Sequence, residues 1–267
     1  MGYRTIRVGD EGLIRTIMLN RPERRNAMTP EMQEELIAAM EAAGAADCRV
    51  VVFAGAGEAF CSGLDLTVLQ ESMTRTVAEN RVDAERVARL LMTLYSLPKP
   101  TIAAVHGAAI AGGTGLATIC DFTLAVPAAK FGYTEVRIGF VPALVSAFLM
   151  LQIGDKRARD LLLTGRLFDA AEAHRLGLVS EVVAAEELMG RVRELAGVLA
   201  ANSPEALAAT KQLLVAQNKA WLEAAIAESL EANARARETA DFREGVTAFM
   251  EKRKAVWPNP PIELRDE

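Results

Sequence analysis

Residues 59–66 read AFCSGLDL, and residues 104–115 read AVHGAAIAGGTG. Each is a glycine-rich stretch that follows an apolar run, Arg49–Ala54 (RVVVFA) in the first case and Thr101–Val105 (TIAAV) in the second. Neither run alternates polar with apolar residues, as expected of strands buried on both faces. Taken singly, the two loops are tight turns. Their order and spacing along one chain ask for more.

Outward from them, Thr5–Asn20 reads as two short strands around a turn at Gly9–Gly12, and Arg21-Pro22 breaks the second strand. Thr29-Pro30-Glu31 is a helix start, with an N-cap threonine, proline in the first helical position and an early acid; the helix should run to about Ala43. Val82–Tyr95 is helical in pattern and stops at Pro98-Lys99-Pro100, while the polar segment 67–80 reads as a loop that shapes one wall of a site. Asp121–Val126 and Lys130–Tyr133 are short extended pieces. From Val141 onward the pattern is largely helical. Asp169 to Glu172 resembles a capping box, and Ser203-Pro204 opens three helical stretches near 204–217, 219–234 and 237–254, before a proline-rich tail at 258–261. Strands alternating with helices, then helices alone, predict an α/β core over residues 1–202 and a helical section over 203–267.

The chain has 267 residues, 51% hydrophobic and 24% charged, with a net charge of −5. That acidic balance gives no support to binding nucleic acid or an anionic membrane. Cys48, Cys61 and Cys120 form neither a disulfide framework nor a metal-ligand spacing, and His106 and His174 lack partners for a zinc site. The N-terminus has no apolar signal-peptide core, and no apolar run reaches the roughly 20 residues of a membrane helix, so a cytoplasmic protein is expected. Gly55-Ala56-Gly57 fails the dinucleotide fingerprint because Phe60 stands at its third glycine. Gly112–Gly115 lacks the Lys-Ser/Thr of a phosphate loop, and no G-x-S-x-G elbow occurs. A thiol nucleophile made from Cys61 or Cys120 with His106 is outweighed by the plain reading of buried cysteines.

The ordered set of motifs resembles the crotonase family, also called the enoyl-CoA hydratase/isomerase family. The resemblance runs through Asn20-Arg21-Pro22, Asn26-Ala27-Met28, the 60–66 loop and Pro98–Val105. It continues through the 111–115 loop, Cys120-Asp121, Phe131–Glu135, Leu163–Arg166, Gly177–Val179 and Phe249–Arg253. It implies a crotonase-like ββα superhelix whose C-terminal helices make trimer contacts, in a homotrimer or dimer of trimers. It also implies an acyl-CoA thioester as substrate, with CoA part of that substrate and no metal or redox cofactor.

By the same resemblance, the N–H groups of Leu64 and Gly112 would hold the thioester oxygen and Glu135 would move the proton. Ser62, Gly63, Asp65, Leu66 and Gly113, in the two loops, would contact the bound acyl-CoA. Arg24, Arg25 and Ala27 would lie near the adenine and ribose phosphate, and Phe249 and Lys252 would reach CoA, often from a neighbouring subunit. Asp65 reads as a structural acid rather than a catalyst. One departure stands out. Enoyl-CoA hydratases of the best-known type carry a second glutamate where this chain has Gly115. The string around Glu135 is nearer a bacterial hydratase branch than the dedicated isomerases. Hydration is therefore the leading expectation, with Δ3-Δ2-enoyl-CoA isomerisation and a non-catalytic acyl-CoA-binding role as alternatives. Met73, Leu91, Phe140, Leu144 and Phe148 are candidates to line an acyl pocket, against the commoner reading of an apolar helix face as ordinary core.

Overall fold

The computed structural model describes residues 2–258; most of the proline-rich tail lies outside the described residues. The chain opens with β1 (Ile6–Glu11) and β2 (Ile14–Leu19), an antiparallel hairpin paired from Ile6↔Leu19 to Glu11↔Ile14. The turn is therefore the two residues Gly12-Leu13 rather than Gly9–Gly12. Gly9, Asp10 and Glu11 stay in the strand because the register holds to its end, where Arg15 Nη2 lies 2.7 Å from Asp10 Oδ2. Gly12 supplies the left-handed φ of +59° that the tight turn requires.

Helix α1 (Pro30–Ala45) starts where expected, with Thr29 accepting the Met32 N–H. There follow β3 (Val50–Gly55), β4 (Ala59–Cys61), α2 (Leu66–Ser72), α3 (Val77–Ser96), β5 (Thr101–Val105), β6 (Ala108–Ile110), α4 (Gly112–Ile119), β7 (Phe122–Ala125) and β8 (Lys130–Gly132). A 3-10 turn at Glu135–Ile138 leads into α5 (Ala143–Ile153), α6 (Asp155–Thr164), β9 (Phe168–Asp169), α7 (Ala170–Leu176), β10 (Glu181–Val182), α8 (Leu188–Ala201), α9 (Pro204–Ala236) and α10 (Ala240–Met250).

Strands β3, β5 and β7 lie parallel in a six-stranded sheet ordered β1-β2-β3-β5-β7-β10, and β4, β6 and β8 lie parallel in a four-stranded sheet ordered β4-β6-β8-β9. Strands β3, β5 and β7 of the larger sheet are each followed directly by a strand of the smaller one, β4, β6 and β8, and then by a helical segment. These are the turns of a ββα superhelix. Val50–Phe53 and Ile102–Val105 are buried on both faces, which is why their sequences do not alternate.

Two expectations need correction. Segment 67–80 is largely helical: Asp65 caps α2, and Thr76 with Glu79 forms a full capping box that starts α3. Most of its polar residues face solvent, though Ser72 and Asn80 are buried, and Leu69 anchors it in a small apolar cluster with Phe140, Phe242 and Val246. The stretches 204–217 and 219–234 are one helix. No Pro or Gly interrupts it after Pro204, and Asn218 bonds the Leu214 carbonyl and the Tyr95 hydroxyl, each at 3.2 Å, instead of breaking the turn. Helix α9 buries Leu222 in the main core and packs on α3 and α5. At α7 half of the expected box forms: Asp169 caps the Glu172 N–H, but the Glu172 side chain pairs with Arg166 at 2.7 Å.

Candidate active site

The first loop leaves β4 at Cys61 and is zipped to the segment after β2. The Ser62 N–H donates to the Arg25 carbonyl at 3.1 Å, the Met28 N–H to the Gly63 carbonyl at 2.7 Å, and the Asp65 N–H to the Met28 carbonyl at 3.0 Å. Leu64 sits between these bonds, and its own N–H donates to no group among the described residues. Asp65 accepts from Arg21 Nη1 at 2.9 Å and from the Thr67 N–H at 3.0 Å. Burial works against its charge, yet Arg21 and the Thr67 amide outweigh it and hold the carboxyl below its usual range. Its role is that of a helix cap and ion-pair partner.

Asn26 pins the arrangement. Fully buried at φ +55°, its Nδ2 donates to the Ala56 and Ala59 carbonyls, both at 2.8 Å, and its Oδ1 accepts the Arg21 N–H at 2.9 Å. Asn26→Ala leaves two carbonyls and one N–H short of partners, an expected cost of about 2–4 kcal/mol. The check is a chemical denaturation curve, in which the midpoint drops and the slope stays unchanged.

The second loop leaves β6 at Ile110 and turns into α4 through Ala111, whose φ of +53° is unusual for a residue with a side chain. The turn is held by the Ala111 N–H on the Gly132 carbonyl at 2.7 Å and by Thr114, whose hydroxyl donates to Ala109 or Gly132. Gly112, the first residue of α4, has an N–H that donates to no group among the described residues, as helix geometry dictates. The two loops touch. A methyl group on Gly113 would overlap the Cys61 carbonyl, and one on Gly63 would stand 3.0 Å from the Ile110 carbonyl and 3.7 Å from the Gly112 nitrogen. Gly63, at φ +88°, and Gly113 therefore set the approach of the loops rather than line the space between them.

That space is a cavity of about 420 Å³. Leu64, Gly112 and Glu135 line it together, with Arg24, Arg25, Ala27, Ser62, Asp65, Leu66 and Phe249. Phe249 belongs to this chain's own cavity. Lys252 is exposed, at φ +55°, and does not line it. Of the expected pocket residues, Phe140 and Leu144 line the cavity, Leu91 and Phe148 are in the main core, and Met73 packs beside Leu69 and Phe140.

Glu135 opens the 3-10 turn after β8, and its carbonyl accepts the Phe140 N–H at 3.1 Å. Its Oε2 is buried with no hydrogen-bond partner among the described residues, and burial pushes the carboxyl up to about 7. An acid poised there takes or gives a proton near neutrality. Where the expected second carboxylate is missing, the volume is already taken. A β-carbon on Gly115 would stand 2.5 Å from Val145 Cγ1, and Val145 is buried on α5. Cys61 and Cys120 are buried, and burial pushes the Cys61 thiol up to about 12, far from a thiolate. His106 is occupied by the Gly57 carbonyl at 2.8 Å.

Among the lining residues that went unread in the sequence are Val145, Asn233 and Arg237. For Asn233 a signal existed. Leu222, Ser229, Asn233 and Ala236 recur at helical spacing on the buried stripe of α9, so Asn233 occupies a core position where an apolar residue is the default.

The sequence profile of the family described as enoyl-CoA hydratase/isomerase matches residues 9–260. A Thermus thermophilus protein with a provisional enoyl-CoA hydratase name is 44% identical over 91% of this chain and 97% of its own. The crotonyl-CoA hydratase of Syntrophomonas wolfei is 32% identical over 96% and 98%. Among solved structures, an enoyl-CoA hydratase/isomerase from Xanthobacter autotrophicus superposes with a TM-score of 0.87 at 32% identity, covering 97% of this chain and 100% of that one.

Proposed function

The chain belongs to the enoyl-CoA hydratase/isomerase family, and on that footing we propose that it adds water reversibly across the double bond of a 2-enoyl-CoA thioester. The observation that carries the reading is the pair of unpaired N–H groups, Leu64 and Gly112, lining one cavity with the elevated carboxyl of Glu135. The thioester oxygen accepts both N–H groups. Glu135, as carboxylate, takes a proton from water while the hydroxide bonds to C3. The C2–C3 π electrons move toward the thioester and its oxygen becomes an enolate held by the two donors. Glu135 then returns the proton to C2, on the face from which the water came. Water is consumed and no other reactant is needed. The first turn of α4 adds its partial positive charge at the oxygen.

The cation pair Arg24 and Arg25 suits the phosphates of CoA at the cavity mouth, and Phe249 offers an apolar surface to its adenine or pantetheine. We read the exposed apolar residues Leu213, Leu214 and Trp221 of α9 as contacts in a homotrimer. No helix among the described residues is long and apolar enough to cross a membrane; a cytoplasmic site is part of the proposal.

One observation favours a second reading. With Val145 closing the position of a second carboxylate, Glu135 alone can carry a proton between C4 and C2 of a 3-enoyl-CoA, which is isomerisation. The experiment that separates them is turnover of a 2-enoyl-CoA against a 3-enoyl-CoA by the purified protein. Hydration predicts loss of the conjugated enoyl-thioester absorbance; an isomerase produces it. A non-catalytic acyl-CoA binder would do neither.

The elevated carboxyl also has a consequence for stability. The folded protein keeps the Glu135 proton up to about pH 7, whereas the unfolded chain releases it near 4.5. The native state thus binds more protons between those values, and stability falls as pH rises through that window. Above it the burial penalty is complete, about 3 kcal/mol. Glu135→Gln should therefore melt higher than wild type at about pH 8 and level with it at about pH 4, a difference that calorimetry at the two pH values reads directly.

A further inference from the structure

The cavity wall made by α9 and Phe140 carries polar groups that hydration does not use. Asn233 is 6% exposed and Arg237 is 3% exposed, and both line the cavity. Asn233 Oδ1 is buried without a partner. Arg237 lies over the Phe140 ring, its guanidinium carbon 5.6 Å from the ring centre. Its Nη1 donates to Asn80 Oδ1 at 3.2 Å and stands 3.7 Å from Asp83 Oδ2. Like Asn233 Oδ1, its Nε is buried with no partner among the described residues. Asp83 is also shared: it pairs with Arg75 and, at 2.8 Å, with Arg86. Three guanidinium groups around one carboxylate leave Arg237 short of negative charge. A buried arginine with one free edge costs free energy unless an anion or acceptor meets it.

We propose that Asn233 and Arg237 form a subsite for a carboxylate at the distal end of the acyl chain, so that the preferred 2-enoyl-CoA is the monothioester of an unsaturated dicarboxylic acid. The free Nε–Nη2 edge presents two N–H groups in the fork geometry that matches a carboxylate. The Asn233 amide, turned so that its NH₂ faces the cavity, adds a third donor. Phe140, Val141 and Leu144 supply apolar contact for the carbons between the thioester and that end. A plain alkyl chain would leave the Asn233 amide and the Arg237 Nε without an added partner.

The inference rests on the hydratase reading and is separable from it. Purified protein is given 2-enoyl-CoA esters of matched length ending in methyl, carboxamide or carboxylate, in short and medium chains. The carboxylate ester is expected to exceed the methyl ester in kcat/KM by about 10- to 100-fold, the range of a buried charge-assisted hydrogen bond. Arg237→Met and Asn233→Ala should erase most of that ratio while methyl-ester turnover survives, and Arg237→Lys should keep part of it. If Arg237→Met fails to fold, the wild-type ratio and Asn233→Ala decide. Turnover of methyl esters with no carboxylate preference at any length overturns the subsite and leaves the hydratase reading intact. Inertness toward all of the esters overturns the hydratase reading and the subsite with it.

Discussion

Glu135→Gln lowers kcat/KM for hydration by about 10²–10⁴-fold, the range expected when a positioned general acid–base is removed. The amide fits the same volume and holds no titrating proton. The buried, unpartnered Oε2 of the wild type shows that the fold asks nothing of that oxygen, so the protein should remain folded and bind acyl-CoA. In wild type, kcat/KM should rise with pH through about 7 as the carboxyl ionises, and the residual activity of the variant should lack that limb. A variant that keeps wild-type turnover would remove Glu135 from the chemistry.

Gly112→Pro lowers turnover by about 10²–10³-fold, because it deletes one of the two proposed donors. Proline is well suited to the first position of a helix, where the N–H has no intrahelical partner. Gly112→Ala is the control. It keeps the N–H and meets only the flexible Met28 Cε, at 3.0 Å, so its loss should be far smaller. Equal loss in the two variants, at equal melting temperature, would mean that crowding rather than the donor is responsible.

Much of this was legible in residues. The strands at Val50–Gly55 and Thr101–Val105 announce themselves by β-branched and apolar runs, and Thr29-Pro30 announces α1. The loop at 60–66 and the glycines at 112–115 mark where two backbones approach. The register of the first hairpin was not legible, because Gly9 and Gly12 offer turns equally well and only pairing through Asp10↔Arg15 decides. Segment 67–80 hid its helices behind polar faces; Asp65 and Thr76 are caps, but caps without a long apolar stripe give a weak signal. Val145 could not be read at all. Its meaning depends on a contact with Gly115 across two helices, and side chains meet there only once the superhelix has closed. Arg237 is a similar case: a polar residue at the end of a long helix looks solvated until the helix is docked.

The contact between Gly115 and Val145 also sharpens the question of mechanism. Absence of a carboxylate at position 115 is here a packed feature, with a buried valine filling the volume, so in the proposed hydration Glu135 serves both halves of the water addition. The measurement that tests this most directly follows purified wild type and Glu135→Gln with a 2-enoyl-CoA by the loss of enoyl-thioester absorbance, with a 3-enoyl-CoA run in parallel. The account predicts rapid loss with wild type and near-complete suppression in the variant. Wild type inert toward 2-enoyl-CoA esters of every chain length and terminus, while converting the 3-enoyl-CoA to the conjugated isomer, would contradict it.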